Sequence, residues 1–497
     1  MVQDAIGGEV RCEAWISRFN DPAEEYDGPV RGNRAMATSP DGATLYVAGN
    51  SDPDEAGDDL DALLVAYDSA TGQQRWVGRY EGEGEAKPWA IAYAMDVSPT
   101  GEAVYVLANA TPLPSGPADS FLLSFDATTG ALVWKRPLLT PWGERAAFSS
   151  LQVARDGSRV YATGNAFFND AEAKKRTTGV TTAFEARDPE HLGEQIWTTP
   201  PLGAVGSFLR HVAVSADGSR VFAGGSLLRA NGRRDGFTTI GYEADTGSRL
   251  WQAHEPGAFP DDLGIPAMAG LDVSPDGSKV FITGADQLPE QGSSSFHVIF
   301  VIAYDAASGD KLWGSKIAGE YPTGGDGTRS GLFIEVGSPI EVAPDGSAVY
   351  VAGTLSDLTS QGVPLQYAII TVALDSGTGA EIWRNEFDEG RPRRTFWPFL
   401  PAIAVSGEEV FVTATRSIEV VVPFVTAQYE DEYSTVALDA GTGVENWVGR
   451  WGEGRSRTGG IAVAPDGERV FVAGETLELT ERIEGSWDLV TVAYDTD

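Results

Sequence analysis

Reactive chemistry in a chain is first sought among its histidines, cysteines and clustered carboxylates, and here that supply is uneven. The four histidines, His191, His211, His254 and His297, never approach metal-ligand spacing, and no Gly-x-Ser-x-Gly nucleophile site occurs. Cys12 is the one cysteine, which excludes an internal disulfide and a cysteine-based zinc site. Carboxylates are plentiful: Asp52, Asp54, Glu55, Asp58, Asp59 and Asp61 crowd into one short segment whose oxygen spacing could hold calcium. That segment lacks the Asp-x-Asp-x-Asp-Gly order of a known calcium loop, and a solvated acidic loop is the simpler reading. The glycine-rich piece Gly324 to Gly327 has no helix after it and reads as a loop rather than a phosphate cradle.

Aromatic residues interleaved with guanidinium groups form the other candidate surface. Trp89, Trp142, Trp397 and Trp451 fall in loops, and Arg34, Arg210, His211, Arg394 and Arg457 fall near the starts of predicted strands. Flat faces with a few forked cations suit a sugar, an aromatic acid or a peptide segment. The competing reading is that these aromatics pack loops against one another and plug a channel.

The elements that must position these groups are repeats. Eight tryptophans, Trp15, Trp76, Trp134, Trp197, Trp251, Trp313, Trp383 and Trp447, recur at intervals of 54 to 70 residues. Leu271 to Trp313 shows the unit best, with four runs rich in Val, Ile, Tyr, Phe and Thr separated by turn residues. We letter the runs A (Gly270 to Ser274), B (Lys279 to Gly284), C (Phe296 to Tyr304) and D (Lys311 to Lys316). The A-to-B turn is Pro275-Asp276-Gly277, where proline presets φ and glycine accepts a positive φ. The C-to-D turn runs from Asp305 to Gly309, and its Asp can hydrogen-bond its own backbone. No segment sustains a capped 3.6-residue period, so helices are minor or absent.

A four-stranded sheet of this size cannot bury both faces alone, whereas sheets packed radially can. Eight units therefore predict an all-β, eight-bladed β-propeller of four-stranded antiparallel blades spanning residues 1–497 as one domain. The last unit, residues 459–497, stops without a strand D. The N-terminal stretch 9–19 matches the missing piece, so it is expected to complete the last blade and close the ring.

With its Ala-Tyr-Asp-x-x-Thr-Gly-x-x-x-Trp close, the unit resembles the tryptophan-docking repeat of the pyrroloquinoline-quinone (PQQ)-like propellers. That superfamily includes quinoprotein alcohol dehydrogenases and the outer-membrane assembly lipoprotein of the β-barrel machinery. The resemblance covers nearly the whole chain and implies the fold; because catalytic and non-catalytic members share it, function must be argued from the site. For the dehydrogenases it further implies an adjacent-cysteine disulfide stacked on the quinone, with calcium held by acidic and amide ligands. A chain whose single Cys12 lies on an outer strand departs from that pattern, which argues against bound PQQ and leaves calcium as the one cofactor to consider.

Antiparallel order sets the geography. The A-to-B and C-to-D turns share one end of each blade, and the longer, unlike B-to-C and D-to-A loops share the other, where function is expected. The formal net charge of -36 repels phosphate backbones and anionic lipid, so nucleic acid and membrane surfaces are not expected partners. No apolar run is long enough to span a bilayer. The expectation is a monomeric, extracytoplasmic or secreted binding or scaffold propeller that engages a protein or glycan through its long-loop face. The rival is an enzyme at the channel mouth, either a carbohydrate-active lyase or hydrolase or a quinoprotein-like oxidoreductase. A third reading is a structural module of a larger chain.

Overall fold

The computed structural model describes residues 9–19, 26–29, 36–52, 60–82, 89–111, 119–141, 145–169, 175–202, 206–229, 234–256, 267–288, 296–317, 329–332, 339–358, 364–387, 401–420, 428–477 and 487–496. Among these residues the elements are strands joined by turns, with no helix. Blade 5 gives the pattern: strand A (Ala267–Val273), B (Lys279–Leu288), C (Phe296–Asp305) and D (Lys311–Ile317), each antiparallel to the next. Eight such blades are present among the described residues.

Both tight turns form as their residues dictate. In the A-to-B turn the hydroxyl of Ser274 donates to Asp276 Oδ1 at 2.6 Å, and the Ser278 amide donates to the same oxygen at 2.9 Å. In the C-to-D turn the amides of Ala307 and Ser308 donate to Asp305 Oδ1 at 2.9 and 2.8 Å. The two turns are themselves tied, since the Ala306 amide donates to the Ser278 carbonyl at 2.9 Å. This end of the blade is thereby committed to holding its own shape.

The repeat tryptophans dock each blade onto the next. Trp251 of strand D donates from Nε1 to the Ala306 carbonyl in the following blade at 3.0 Å, and Trp76, Trp197, Trp313 and Trp383 do the same to Ala127, Ala244, Ser376 and Ala440. The turn glycine supplies the flat surface beneath the indole: a Cβ on Gly309, whose φ is +76°, would lie 2.6 Å from Trp251. The core is accordingly a set of apolar clusters between neighbouring blades. One of them gathers Tyr46 and Trp76 of blade 1 with Met95 and Phe125 of blade 2.

Closure follows the expected route with one correction. Trp15–Phe19 pairs antiparallel with Trp487–Asp495 as strand D of blade 8, and Phe19, Leu45, Val65, Phe471 and Leu489 form the core shared by blades 8 and 1. Residues 9–11, expected in the same strand, instead run parallel to Glu445–Trp451, strand D of blade 7, with Val10 opposite Val448. The chain thus crosses from one blade to the next over Cys12 to Ala14. Arg11 secures the crossing, donating to the Asp495 carbonyl at 2.7 Å while its guanidinium lies 5.4 Å from the Trp447 ring centroid. Strand A of blade 8 starts at Arg455, earlier than residue 459, because a bulge lets the pairing with strand B continue past Thr458.

Candidate functional site

Strand A is the inner strand of each propeller blade, and several of these strands are irregular. Strand A of blade 2 (Trp89–Val97), blade 3 (Arg145–Val153), blade 4 (Ser207–Val214), blade 5 and blade 8 (Arg455–Val463) each carry one extra residue against strand B. The extra residues are Tyr93, Ser149, Arg210, Ala269 and Gly459. A bulge leaves its additional residue outside the ladder and re-aims its side chain. Tyr93 is 44% exposed and Arg210 is exposed.

Two sequence features cause these bulges. The first is a small residue on strand B, since a Cβ on Gly164, Gly225 or Gly474 would collide with the backbone of Phe148, Phe208 or Arg457. The second is a polar side chain after it that reaches the next blade. Asn50 Oδ1 accepts from the Ala92 amide at 2.8 Å, and Asn109 Nδ2 donates to the Phe148 carbonyl at 3.1 Å. Asn165 accepts from the Leu209 amide at 2.9 Å and donates to the Leu209 carbonyl at 3.4 Å. Thr415 Oγ1 accepts from the Thr458 amide at 3.0 Å. Each clamp holds the residue just before an extra one, so Ala92 fixes Tyr93, Phe148 fixes Ser149 and Leu209 fixes Arg210. The signal, Gly or Ala followed by Asn or Thr at the end of strand B, was present in the sequence and not used.

Adjacent bulges touch. The Ser149 hydroxyl donates to the Arg210 carbonyl at 3.3 Å, which joins blades 3 and 4 at the channel wall. The Arg210 guanidinium itself makes no hydrogen bond or ion pair among the described residues. Nearer the tight-turn end lies a second tier, in which Asp96 Oδ2 and Asp272 Oδ2 accept from the amides of Val153 and Val342 at 2.8 and 2.9 Å. Gln152 Oε1 accepts from Val214 at 2.8 Å in the same way.

The other candidates divide. His211 is half-buried with Nε2 3.4 Å from the Met268 carbonyl, which directs it to blade 5. Arg457 lies 4.7 Å over the Trp487 ring and 3.5 Å from the buried carboxylate of Glu475, linking strands A, B and C of blade 8. Trp451 corrects its expectation: it ends strand D of blade 7, is 7% exposed, and packs 5.0 Å from Tyr433, because strand pairing continues through it opposite Tyr433. Burial pushes the Tyr433 phenol well above its ordinary range. Trp89 opens strand A of blade 2, but its side chain lies outside the described residues, as do Arg34, Trp142, Arg394 and Trp397.

In the acidic segment, Asp61 opens strand C of blade 1 and is 3% exposed, so it belongs to the sheet rather than to the loop. Asp52 ends strand B; its side chain, and Asp54, Asp58 and Asp59, lie outside the described residues. Among the described residues no three His, Cys, Asp or Glu side chains gather as metal ligands. No helix among them is long and apolar enough to cross a membrane.

Two strand-level features went unread in the sequence. A cation three residues after a docking tryptophan meets an acid at the start of strand C: Arg18 lies 3.2 Å from the buried Asp488, and His254 lies 3.6 Å from Asp235. Arg18 also pairs with Glu453. In the longer C-to-D turn of blade 3, His191 lies 2.7 Å from Asp188, which raises the imidazole pKa and lowers that of the carboxyl. These pairs connect strands and turns.

Comparison with known proteins agrees with this architecture. The family model of outer membrane protein assembly factor BamB matches residues 11–182, 118–271 and 300–482. No curated protein matches the sequence significantly. Among solved structures, a quinohemoprotein alcohol dehydrogenase from Comamonas testosteroni is similar at 14% identity and a TM-score of 0.50, covering 98% of this chain and 78% of that one. The Dos1 propeller is similar at 10% identity and a TM-score of 0.50, covering 96% of this chain and 94% of that one. At such identities the likeness bears on the fold.

Proposed function

From the premise that the chain belongs to the family of the outer membrane protein assembly factor BamB, we propose that it is a non-catalytic binding or scaffold propeller. It engages a protein or glycan ligand through the face that carries its unlike loops. The observation that carries this reading is the division of labour between the two ends. At one end turn after turn is hydrogen-bonded within its blade and under the preceding tryptophan, as at Asp305 to Gly309. Toward the other end strand A carries Tyr93 and Arg210, both exposed, each following a residue clamped from the preceding blade. A rigid ring with one featured mouth suits recognition, with specificity placed on scaffold-borne loops. Trp89, Trp142, Trp397, Arg34 and Arg394 are the residues we assign to that mouth, from their places in the sequence at or just before the start of a strand A. A monomer outside the cytoplasm accords with the closed ring and with the family's name.

The oxidoreductase alternative is weaker on the residues present. In the quinoprotein pattern a cysteine pair stacks on the cofactor, whereas Cys12, the one cysteine, is exposed at the outer seam between blades 7 and 8. The donor set does not fit that pattern of PQQ binding, and no step is assigned to it.

The test uses Trp89→Ala and Trp397→Ala beside the wild type. Each is titrated by calorimetry against a panel of neutral and acidic oligosaccharides and against peptides copied from strands of outer-membrane β-barrels. Binding that falls in the variants while melting temperature holds supports the reading. Binding unaffected by both variants, or turnover of any panel member, overturns it.

A further inference from the structure

We infer that the Arg11 guanidinium takes the place of a C-to-D turn glycine in blade 8, which makes residues 9–19 a strap that closes the ring by side-chain chemistry where the other blades use a covalent turn. The inference concerns the scaffold and does not depend on what the mouth binds.

The regularity of the other turns supplies the first step. In blades 1 to 7 the glycine that ends the C-to-D turn has two tasks. Its amide donates to the carbonyl of the acidic residue that ends strand C, as Gly309 does to Asp305 and Gly443 to Asp439, both at 2.8 Å. It also lies under the docking tryptophan of the preceding blade, where a Cβ on Gly309 or Gly443 would come within 2.6 or 2.5 Å of Trp251 or Trp383. One residue thus gives both a donor and a flat surface.

Blade 8 has no covalent turn of this kind, because its strand C (Trp487–Asp495) and strand D (Trp15–Phe19) come from opposite ends of the chain. The first half of the turn forms all the same. The Thr496 amide donates to the Glu468 carbonyl at 3.0 Å and its hydroxyl to the Gly467 carbonyl at 2.7 Å, as Ser69 and Ser376 do in blades 1 and 6. The groups that a glycine would serve here are the Asp495 carbonyl and the face of Trp447, the docking tryptophan of blade 7. Arg11 meets both: its Nη1 donates to the Asp495 carbonyl at 2.7 Å, and its guanidinium lies over the Trp447 ring, 5.4 Å from the centroid.

The chemistry of the side chain explains the exchange. A guanidinium is flat and rigid with its N–H donors in its own plane, so it can give a hydrogen bond edge-on while its face lies against an indole. A lysine ammonium has no such plane. The backbone delivers Arg11 to this place, since Val10 lies opposite Val448 in the parallel ladder with blade 7, and the Ala14 amide then donates to the Ala493 carbonyl of blade 8 at 2.8 Å. Trp15 continues to blade 1. The strap therefore holds blades 7, 8 and 1 in succession, and Arg11 joins its first hold to its second. With a side chain in place of a turn, release of the strap is a local opening of the ring, separate from global unfolding.

Hydrogen exchange followed by mass spectrometry on the full chain tests this, with Arg11→Ala and Arg11→Lys beside the wild type. Amides of residues 15–19 and 489–493 report the strap, and those of strand C of blade 5 serve as the internal reference. Arg11→Ala should quicken exchange in the strap about tenfold or more, as loss of a charge-assisted hydrogen bond implies, while the blade 5 reference keeps its rate. Arg11→Lys keeps the charge and removes the plane, so it should retain only part of the protection, and it tests the role even where Arg11→Ala does not fold. Strap protection unchanged in Arg11→Ala, or complete in Arg11→Lys, overturns the inference. Exchange that rises equally in blade 5 also overturns it, because Arg11 would then support the whole fold and not the seam.

Discussion

The indole Nε1 of Trp15 donates to the carbonyl of Ser69 at 2.9 Å. The same carbonyl accepts from Arg469 Nη1 at 2.9 Å, so one oxygen in blade 1 receives donors from near both ends of the chain. Closure is made by this pair of hydrogen bonds, by the apolar cluster around Phe19 and Phe471, and by residues 9–11 lying against blade 7.

Trp15→Ala should therefore destabilise the whole ring, by about 2–4 kcal/mol for a partly buried indole that also loses its hydrogen bond. Urea unfolding would measure the loss. A truncation lacking residues 1–19 should do more, exposing strand C of blade 8 as an open edge and producing oligomers visible by light scattering.

Turn glycines separate strain from clash. Gly309→Ala places a Cβ against Trp251 at 2.6 Å in a left-handed backbone, whereas Gly218→Ala meets nothing within 4 Å at a φ of +70°. The second substitution should cost about 1 kcal/mol, the backbone term alone, and the first clearly more. Equal losses would mean that the glycine–tryptophan packing contributes little.

Acid should weaken the protein in a defined window. Asp217 and Asp276 are lowered from 3.8 to about 2, first by the hydroxyls of Ser215 and Ser274 and then by the amides of Ser219 and Ser278. A folded pKa below the unfolded one gives stability that is complete above the ordinary value and is lost as pH falls through the folded one. Melting temperature should fall between about pH 4 and pH 2 in part through these turns. Asp217→Asn with Asp276→Asn should be less stable at neutral pH and show a shallower acid slope. The turns are solvent-facing, so the effect per residue is small and salt-sensitive.

Asn165 ties fold to site. Asn165→Ala removes both bonds to Leu209 and should cost about 1–3 kcal/mol, with hydrogen exchange quickening at Leu209 and Arg210. Protection unchanged at those amides would show that the clamp does not hold the bulge.

Arg457 and Glu475 should be energetically coupled. A double-mutant cycle with Arg457→Met and Glu475→Gln is expected to return about 0.5–3 kcal/mol, because Glu475 is buried and charge separation there is costly. A value near zero would assign Arg457 to its stacking on Trp487 alone.

Eight units, their strand order and tight turns, and the completion of the last blade by the N-terminus were legible in the sequence alone. These depend on local propensities repeated along the chain, Asp-x-x-Thr-Gly and Pro-Asp-Gly being turns wherever they occur. The channel was not legible in the same way. Where strand A bulges is set by a collision between strand B and strand A and by a clamp from another blade, as Asn165 holds Leu209 across 44 positions of sequence. That is why the bulge residues Tyr93, Ser149 and Arg210 were not singled out as such, and why Trp451 and Asp61 proved to be buried. Periodicity fixes what repeats, whereas the exceptions are decided by packing between blades.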